Sequence, residues 1–485
     1  MKEDSYDTAT YDKTNPESIY NYSRFLIGES LRSLLGDGTV STRRKGKGGL
    51  GQMVEELFFK YDVNSNPEAD FSEAHLELKC TPLLNARSGS ALRIKERLVC
   101  SMIDYEEIAK TPFEDSHLLA KCRLMLLLFY LHVSGKDICD FRFLFRVLWQ
   151  LPDKDLLLIK KDYDTIAEKV RRGEAHLISE GDTLYLGACR KGQKGDNPQP
   201  QPFSSDKAFR RAFSLKPAYM RYVLKHVIES GSDHFSNYST ALPAGFELVN
   251  KAELQHSTFE EIILQRFKPY IGKNYNEICD MLGIQSYQSK SKYADVCGLI
   301  ASDGAGKRLS DSEEFIKSGI TMKTIRLRDN GMPRESMSFK NIDYYEILEN
   351  DDWFESDLYE LFTTRFLFVV LKPEKGKKIE VYNNRTGALT FEQSYILDKV
   401  FFWTMPPNDL ETAREYWNDI KNKITANKIE SYSFWSIKDH KKFHVRPKAS
   451  NASDLTSNPH GGMCSKYCYW FNAVYVKQII EQANA

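Results

Sequence analysis

The chain repeats one pattern of residues across its two halves. The string I-D-Y-E-E-I at 103–108 returns as I-D-Y-Y-E-I at 342–347, a shift of 342 − 103 = 239 positions. Other matches keep the same order, and the shift reaches 466 − 216 = 250 where Lys216 is matched with Lys466. Small loop insertions between the repeated elements would produce such a drift. The sequence therefore predicts two copies of one fold.

Each copy carries the patterns of a mixed α/β fold, with an amphipathic helix, short alternating strands, an apolar run and further helices. At 485 residues, 41% of them hydrophobic, the chain is long enough for two cores. A cluster of Gly, Ser, Asn and Pro between 229 and 257 marks the boundary. We expect one domain over 1–232, a linker region over 233–257 and a second domain over 258–485, each a mixed sheet flanked by helices.

The stretch D-F-S-E-A-H-L-E-L-K-C-T-P at 70–82 brings two acids and an amine together. Apolar residues alternate with Glu77 and Lys79, so on a strand these two side chains share one face. Asp70 can converge on Glu77 from the neighbouring turn or strand. A carboxylate pair suits Mg2+, which can activate water against a phosphodiester. Because an E-x-K strand is most often a solvated face, the surrounding sequence has to decide.

That surrounding sequence is K-G-G-L-G-Q-M-V-E at 47–55. The spacing predicts an amphipathic helix over 51–60, preceded by a Gly-rich turn that could meet a phosphate. Taken together, the two stretches resemble the MutH family of mismatch-repair nicking endonucleases and its relatives among the GATC-cutting type II restriction enzymes. The family motif falls on Lys47, Glu55, Asp70, Glu77 and Lys79.

The resemblance implies two tandem restriction-endonuclease-like (MutH-like) domains and Mg2+-dependent cleavage of double-stranded DNA at GATC, leaving 5′-phosphate ends. It implies that Asp70, Glu77 and the Leu78 carbonyl hold the metal. Lys79 would orient or deprotonate the attacking water or offset phosphate charge, and Glu55 would aid the metal or its hydration. The doubled length favours a type II restriction enzyme. Two alternatives stay open, a methylation-directed mismatch-repair nicking enzyme and a non-cleaving DNA-binding protein.

The second copy lacks part of the acidic set, because Thr321 stands opposite Glu77 and Glu314 opposite Asp70. We expect it to hold Mg2+ poorly, which leaves one active centre per chain. Its segment R-P-K-A-S-N at 446–451 resembles a family segment that approaches bases in the major groove. Arg or Lys can read guanine and Asn can read adenine. The second copy is therefore expected to bind another DNA segment and to position or activate the first copy.

The expected DNA contacts fall in both copies. A four-base palindrome calls for twofold symmetry in its reader, so either two chains pair on DNA as a homodimer or one chain nicks the strands in turn. The candidate residues are Arg446, Pro447, Lys448 and Asn451 in the second copy and Arg190, Lys191, Lys216 and Tyr219 in the first.

Charge, hydrophobic runs and cysteine usage indicate the compartment in which the protein works. The 67 basic residues balance 67 acidic ones, so charge that attracts DNA must be local. The N-terminus lacks the apolar core of a signal peptide, and the longest apolar run, Leu124–Val133, is too short for a bilayer span and predicts a buried strand or helix. Nine cysteines without a CxxC pair are typical of reduced thiols. We expect a cytoplasmic enzyme with no membrane partner.

Overall fold

A computed structural model of the 485-residue chain describes residues 6, 9–40, 49–61, 68–85, 91–191, 198–230, 246–383, 386–430, 432–451 and 453–483. The chain divides into two compact units. The first unit is Met1–Gly245 with Ile316–Ser318, and the second is Phe246–Phe315 with Gly319–Ala485. No helix of the described ranges is long and apolar enough to cross a membrane. All nine cysteines are unbridged.

The first unit mixes short helices and strands. Its described helices are α1 (Pro16–Tyr22), α2 (Leu31–Leu35), α3 (Asp37–Val40), α4 (Gly49–Met53), α5 (Tyr105–Ile108), α6 (His117–Cys122), α7 (Asp153–Arg171) and α8 (Pro217–Ser230). Its described strands are β1 (Glu77–Asn85), β2 (Leu92–Ile94), β3 (Leu98–Met102), β4 (Leu124–Leu131), β5 (Phe143–Gln150), β6 (Leu186–Arg190), β7 (Gln199–Gln201), β8 (Ser204–Ala208) and β9 (Arg211–Leu215).

Two sheets of this unit matter for the site. The larger has the order β2-β1-β4-β5, in which β1 runs parallel to β4 and antiparallel to β2. The apolar run that was predicted to be a buried strand or helix is β4, whose residues Met125–Phe129 are fully buried, as expected of a central strand covered on both faces. The smaller sheet has the order β3-β9-β6 and is antiparallel.

The core of the first unit lies under the start of β1. Leu76 and Leu78 turn into this core with Leu126 and Leu128 of β4. Glu77 and Lys79 alternate with them along the strand, as the sequence predicts. The period-2 pattern therefore fixes which face of β1 carries the polar groups.

The second unit has its own helices and strands. Its described helices are α9 (Lys251–His256), α10 (Phe259–Phe267), α11 (Tyr275–Leu282), α12 (Lys292–Ala301), α13 (Glu313–Ser318, whose last three residues are assigned to the first unit), α14 (Tyr344–Glu349), α15 (Asp357–Thr363), α16 (Pro407–Thr425) and α17 (Ala473–Gln482). Its described strands are β10 (Tyr287–Gln288), β11 (Thr321–Arg326), β12 (Met337–Asn341), β13 (Phe366–Asn383), β14 (Leu389–Trp403), β15 (Phe443–Pro447), β16 (Leu455–Ser457), β17 (Met463–Ser465) and β18 (Tyr467–Phe471).

Strand pairing follows the same scheme in both units. As β1 runs parallel to β4 and β4 pairs antiparallel with β5, so β11 runs parallel to β13 and β13 pairs antiparallel with β14. The order β3-β9-β6 matches β12-β18-β15. Within the predicted linker of 233–257, residues 233–245 lie outside the described residues, and Lys251–His256 form α9, with Asn250 as its N-cap. The second unit is thus already helical before residue 258.

Candidate active site

A tight turn brings Asp70 alongside the start of β1. The backbone of Phe71 pairs with that of Leu76, with the Phe71 N–H 2.9 Å from the Leu76 oxygen and the Leu76 N–H 3.2 Å from the Phe71 oxygen. A single turn of 3-10 helix, Ser72–Ala74, fills the loop. His75 closes it in the left-handed region with a φ of 49°, which non-glycine residues adopt infrequently. The turn places Asp70 beside Glu77.

Each of the two carboxylates accepts a hydrogen bond from a backbone N–H at or next to the other acid. The Asp70 N–H donates to Glu77 Oε2 at 3.2 Å, and the Leu78 N–H donates to Asp70 Oδ2 at 2.9 Å. Glu77 is only 1% exposed. Asp70 Oδ1 forms no hydrogen bond or ion pair with the described residues. The predicted convergence of the carboxylates is therefore present, with one oxygen left for a ligand.

The direction of the Leu78 peptide supports the predicted role of its carbonyl. In a strand, the N–H and the C=O of one residue point to the same side. Because the Leu78 N–H points at Asp70, its C=O also lies on the side of the acid pair. The backbone oxygen and the carboxylates can thus face one ligand.

Two ammonium groups contact Glu77. Lys79 Nζ lies 2.6 Å from Glu77 Oε1, as the E-x-K spacing predicts. Lys121 Nζ lies 3.4 Å from Oε1 and 3.5 Å from Oε2 of the same carboxylate. Our sequence analysis missed Lys121. No local pattern identifies it, because only the pairing of Met125 of β4 with Glu77 brings the last turn of α6 near the acid pair.

Glu55 lies on a distorted helix. The helix predicted over 51–60 begins at Gly49 and continues from Val54 to Phe58 as a π-helix, with the Phe59 N–H donating to the Val54 oxygen at 2.9 Å. Such π segments occur frequently at functional sites. The half-buried Glu55 carboxylate has no hydrogen bond or ion pair with any residue in the described ranges.

The acids and the amines shift one another's pKa values. Burial, and next the Asp70 carboxylate, raises the pKa of Glu55 to about 7. Burial and Glu77 raise the pKa of Asp70. For Lys79, burial lowers the pKa, but attraction to Glu77 and the hydrogen bond between them outweigh burial, so the pKa is raised. Lys79 is therefore an ammonium at neutral pH, and the crowded acids favour a cation.

The donor set fits Mg2+. That ion binds through one or two carboxylates and keeps several waters, and Asp70, Glu77 and the Leu78 carbonyl offer such a set. No group of three or more His, Cys, Asp or Glu at metal-binding distances occurs in the described part of the chain, so water would complete the coordination. The predicted Lys47 lies outside the described residues.

Of the DNA contacts predicted in the first copy, two are buried. Lys216 Nζ donates to the Thr183 carbonyl, and the fully buried Tyr219 hydroxyl donates to Asp155 Oδ2 at 2.7 Å. The prediction that Lys216 and Tyr219 contact DNA is wrong, because both polar groups are used inside the unit. The other two lie at the end of β6 and remain candidates: Arg190 lies with its guanidinium 3.9 Å from the Phe209 ring, and Lys191 follows it half-buried.

In the second copy, all four predicted DNA contacts are exposed. Arg446 and Pro447 end β15, Lys448 follows, and Asn451 accepts a hydrogen bond from the Ser453 N–H at 3.0 Å. The structure therefore leaves Arg446, Pro447, Lys448 and Asn451 accessible.

The backbone pairing corrects the alignment of the two copies near their ends. The Lys448 N–H donates to the Lys466 oxygen at 3.0 Å, just as the Lys191 N–H donates to the Arg210 oxygen at 2.9 Å. Lys448 is thus the positional partner of Lys191. Because β9 matches β18, Lys216 falls opposite Asn472 and not opposite Lys466.

The acid expected opposite Asp70 is not at the corresponding place. Glu314 is fully buried in α13, where its carboxylate accepts hydrogen bonds from the Leu248 N–H at 3.0 Å and the Val249 N–H at 3.1 Å. Thr321 begins β11 opposite Phe366, as Glu77 begins β1 opposite Met125. The second copy therefore has neither acid at this position.

Comparisons with known proteins agree with the geometry. Residues 59–162 match the family described as MutH, DNA mismatch repair enzyme MutH. The chain is 28% identical over 483 residues to the type II restriction enzyme Sau3AI of Staphylococcus aureus, covering 94% of this chain and 92% of that protein. It is also 27% identical over 177 residues to the DNA mismatch repair protein MutH of Shewanella amazonensis, covering 35% of this chain and 75% of that protein.

Proposed function

This chain is a MutH-like, site-specific deoxyribonuclease of the type II restriction class, and from that premise we propose that it cleaves double-stranded DNA at GATC with Mg2+, leaving 5′-phosphate and 3′-hydroxyl ends. One observation carries the proposal. Asp70 and Glu77 converge at the start of β1, with the Lys79 ammonium 2.6 Å from Glu77 Oε1. An acid pair can hold the metal ion for phosphodiester hydrolysis, and an amine beside it can orient the attacking water or offset phosphate charge.

The chain's own groups divide the work. When bound, Mg2+ supplies Lewis-acid stabilisation of phosphate charge and acidifies a water. Asp70 offers Oδ1, and Glu77 and the Leu78 carbonyl complete the protein ligands. Lys79 serves as a donor that orients the water or offsets phosphate charge, because its raised pKa keeps it protonated and makes it a poor base.

Glu55 and Lys121 adjust the charge around the acid pair. Glu55 has a half-buried carboxylate without a partner among the described residues, so it would be able to accept hydrogen bonds from water around the metal. Lys121 holds Glu77 from the other side. We place it as a positioning residue, because its ammonium lies against a ligand rather than at the reacting atoms.

We further propose that the chain is a tandem duplication with one active centre. The matching strand orders support this, as does the shift of 239 between the strings at 103–108 and 342–347. The second unit, with Thr321 opposite Glu77 and Glu314 engaged elsewhere, would bind another GATC segment through Arg446, Pro447, Lys448 and Asn451 and would activate or position the first. Arg190 and Lys191 are the corresponding candidates in the first unit.

One active centre and a palindromic target require either two chains on DNA or two successive nicks. We favour a homodimer that forms on DNA. Gel filtration of the Asp70→Ala protein with and without a GATC duplex tests this, since the dimer predicts doubled protein mass only with DNA.

The cleavage proposal is tested with unmodified GATC plasmid, protein and Mg2+. We expect linear fragments whose sequenced ends fall at GATC sites and carry 5′-phosphates, and the same sequences locate the scissile bond. The similarity to the MutH protein of S. amazonensis keeps a mismatch-repair nicking enzyme as the second candidate, and slow nicking without linear fragments would favour it. No cleavage with Mg2+ or Mn2+ would favour a non-cleaving DNA-binding protein.

A further inference from the structure

A lysine occupies the same position on β11 as Lys79 occupies on β1. Lys323 pairs with Phe368 of β13, as Lys79 pairs with Leu127 of β4. Its surroundings differ. Lys323 Nζ donates to the Ser338 carbonyl at 2.9 Å and forms no ion pair with an acid of the described ranges. The half-buried ammonium is therefore not neutralised by the groups described around it.

A second lysine side chain, that of Lys448, contacts the same strand, β12, that Lys323 contacts. Lys448 Nζ donates to the Phe339 carbonyl at 2.7 Å and lies 3.4 Å from Ser338 Oγ. β12 is bulged against β18 between Ser338 and Asn341, which leaves backbone carbonyls outside the regular ladder. The ammonium groups of the two lysines thus donate to the carbonyls of successive residues, Ser338 and Phe339. Each ammonium keeps at least one N–H that can donate to a ligand.

The arrangement concentrates positive charge. Burial, and next the charge of Lys448, lowers the pKa of Lys323 to about 8. Arg446, two residues before Lys448, lies with its guanidinium carbon 5.0 Å from the Trp470 ring centroid and is exposed. None of these three cations pairs with a carboxylate of the described residues. An anion would relieve this repulsion, as a cation would at the acid pair of the first unit.

Resting on the proposed DNA-binding role of the second unit, we propose that Lys323 and Lys448, with Arg446 at the rim, bind a single phosphodiester of duplex DNA. The site would hold a backbone phosphate at the place that corresponds to the active centre of the first unit. It is a binding site without chemistry, because neither acid is present there. The structural alternative is that the two lysines only donate hydrogen bonds to the carbonyls exposed by the β12 bulge and bind no ligand.

The test measures how DNA affinity depends on salt. The full chain carrying Asp70→Ala, so that DNA stays intact, is compared with the same chain carrying Lys323→Gln and Lys448→Gln in addition. Binding of a GATC duplex is followed by fluorescence anisotropy between about 50 and 200 mM salt. We expect roughly tenfold weaker binding and a slope of log K against log salt smaller by about one, since each neutralised phosphate contributes about 0.9.

Lys340→Gln in the same background is the matched control. It removes one charge from β12, but that ammonium is already paired with Asp357 Oδ2 at 2.6 Å. We expect the salt slope to be unchanged. The melting temperature distinguishes a loss of binding from a loss of structure. Because the variant removes ammonium groups that no carboxylate of the described residues neutralises, we expect its melting temperature to equal or exceed that of the parent. A lower melting temperature together with an unchanged salt slope would overturn the phosphate site.

The result also separates this inference from the proposed function. If Arg446→Ala weakens duplex binding while the lysine pair has no effect on the salt slope, the second unit binds DNA but the phosphate site is wrong. If neither change alters binding in the Asp70→Ala background, and neither alters the cleavage of plasmids with one or several sites when Asp70 is intact, both the phosphate site and the DNA-binding role of this unit are wrong.

Discussion

Replacing Glu55 with Gln should stabilise the protein in the absence of metal while impairing cleavage. The carboxylate is half-buried, has no partner among the described residues and faces Asp70, so ionising it in the folded state is unfavourable. Its pKa in the folded chain is about 7, against 4.5 ordinarily. The folded state therefore holds more protons than the unfolded state between these pH values, and stability falls as pH rises through this window.

The magnitude follows from the pKa. At about 1.4 kcal/mol per pH unit, moving from 4.5 to about 7 sets a ceiling of roughly 3.4 kcal/mol above pH 7. Because the side chain is partly exposed, solvent screening reduces this, and we expect about 1–2 kcal/mol. The Gln variant should be more stable than the parent by that amount at pH 8 and nearly equal to it at pH 4.5.

Urea unfolding in the presence of a chelator at both pH values measures this difference. Glu73→Gln is the control, since Glu73 is exposed in the turn beside the site and its replacement should leave the difference near zero. Adding Mg2+ should stabilise the parent more than the Gln variant, by mass action. A Gln variant no more stable than the parent at pH 8 would refute the reasoning that Glu55 is held ionised at a cost.

Three further outcomes are expected. Asp70→Ala should lower the cleavage rate by about a thousandfold or more while duplex affinity by anisotropy is retained; loss of both would indicate a folding role. Lys121→Gln should lower kcat by roughly tenfold to a hundredfold with little change in KM, because its ammonium positions a metal ligand, and an unchanged kcat would contradict that role. Duplex affinity of the parent should fall as pH rises through about 8, because the Lys323 ammonium, which faces Lys448 and the Cys468 thiol, loses its proton there. Lys323→Gln should abolish that pH dependence.

The strand that carries the acids could be predicted because its signal is local. Alternation from Leu76 to Cys80 specifies which side chains enter the core, and the buried partners Leu76 and Leu78 confirm it. The convergence of Asp70 on Glu77 needed only a short turn between them. The matched strand orders likewise have a local origin, since each repeated string carries its own element.

The remaining features depend on contacts that spacing does not encode. Lys121 and Glu77 are 44 residues apart in the sequence, and they come into contact because α6 directly precedes β4, the strand that pairs with β1. The π turn at Glu55 interrupts a helix whose periodicity predicts a regular one. Tyr219 is a candidate DNA contact by sequence, yet its hydroxyl donates a hydrogen bond to Asp155 inside the unit. A sequence pattern identifies residue types, whereas the tertiary structure determines which polar groups already have hydrogen-bond partners inside the protein.

The two copies show how one position can change its electrostatic role without a change of residue. Lys79 and Lys323 stand at equivalent points of equivalent strands, but Glu77 raises the pKa of Lys79 while burial and Lys448 lower that of Lys323. The difference arises from the neighbours alone. Restoring Glu at Thr321 would neutralise Lys323 without restoring a metal site, because β11 is preceded by α13 and not by the turn that delivers Asp70. The second unit thus differs from the first in the backbone before the strand as much as in the acid missing at Thr321.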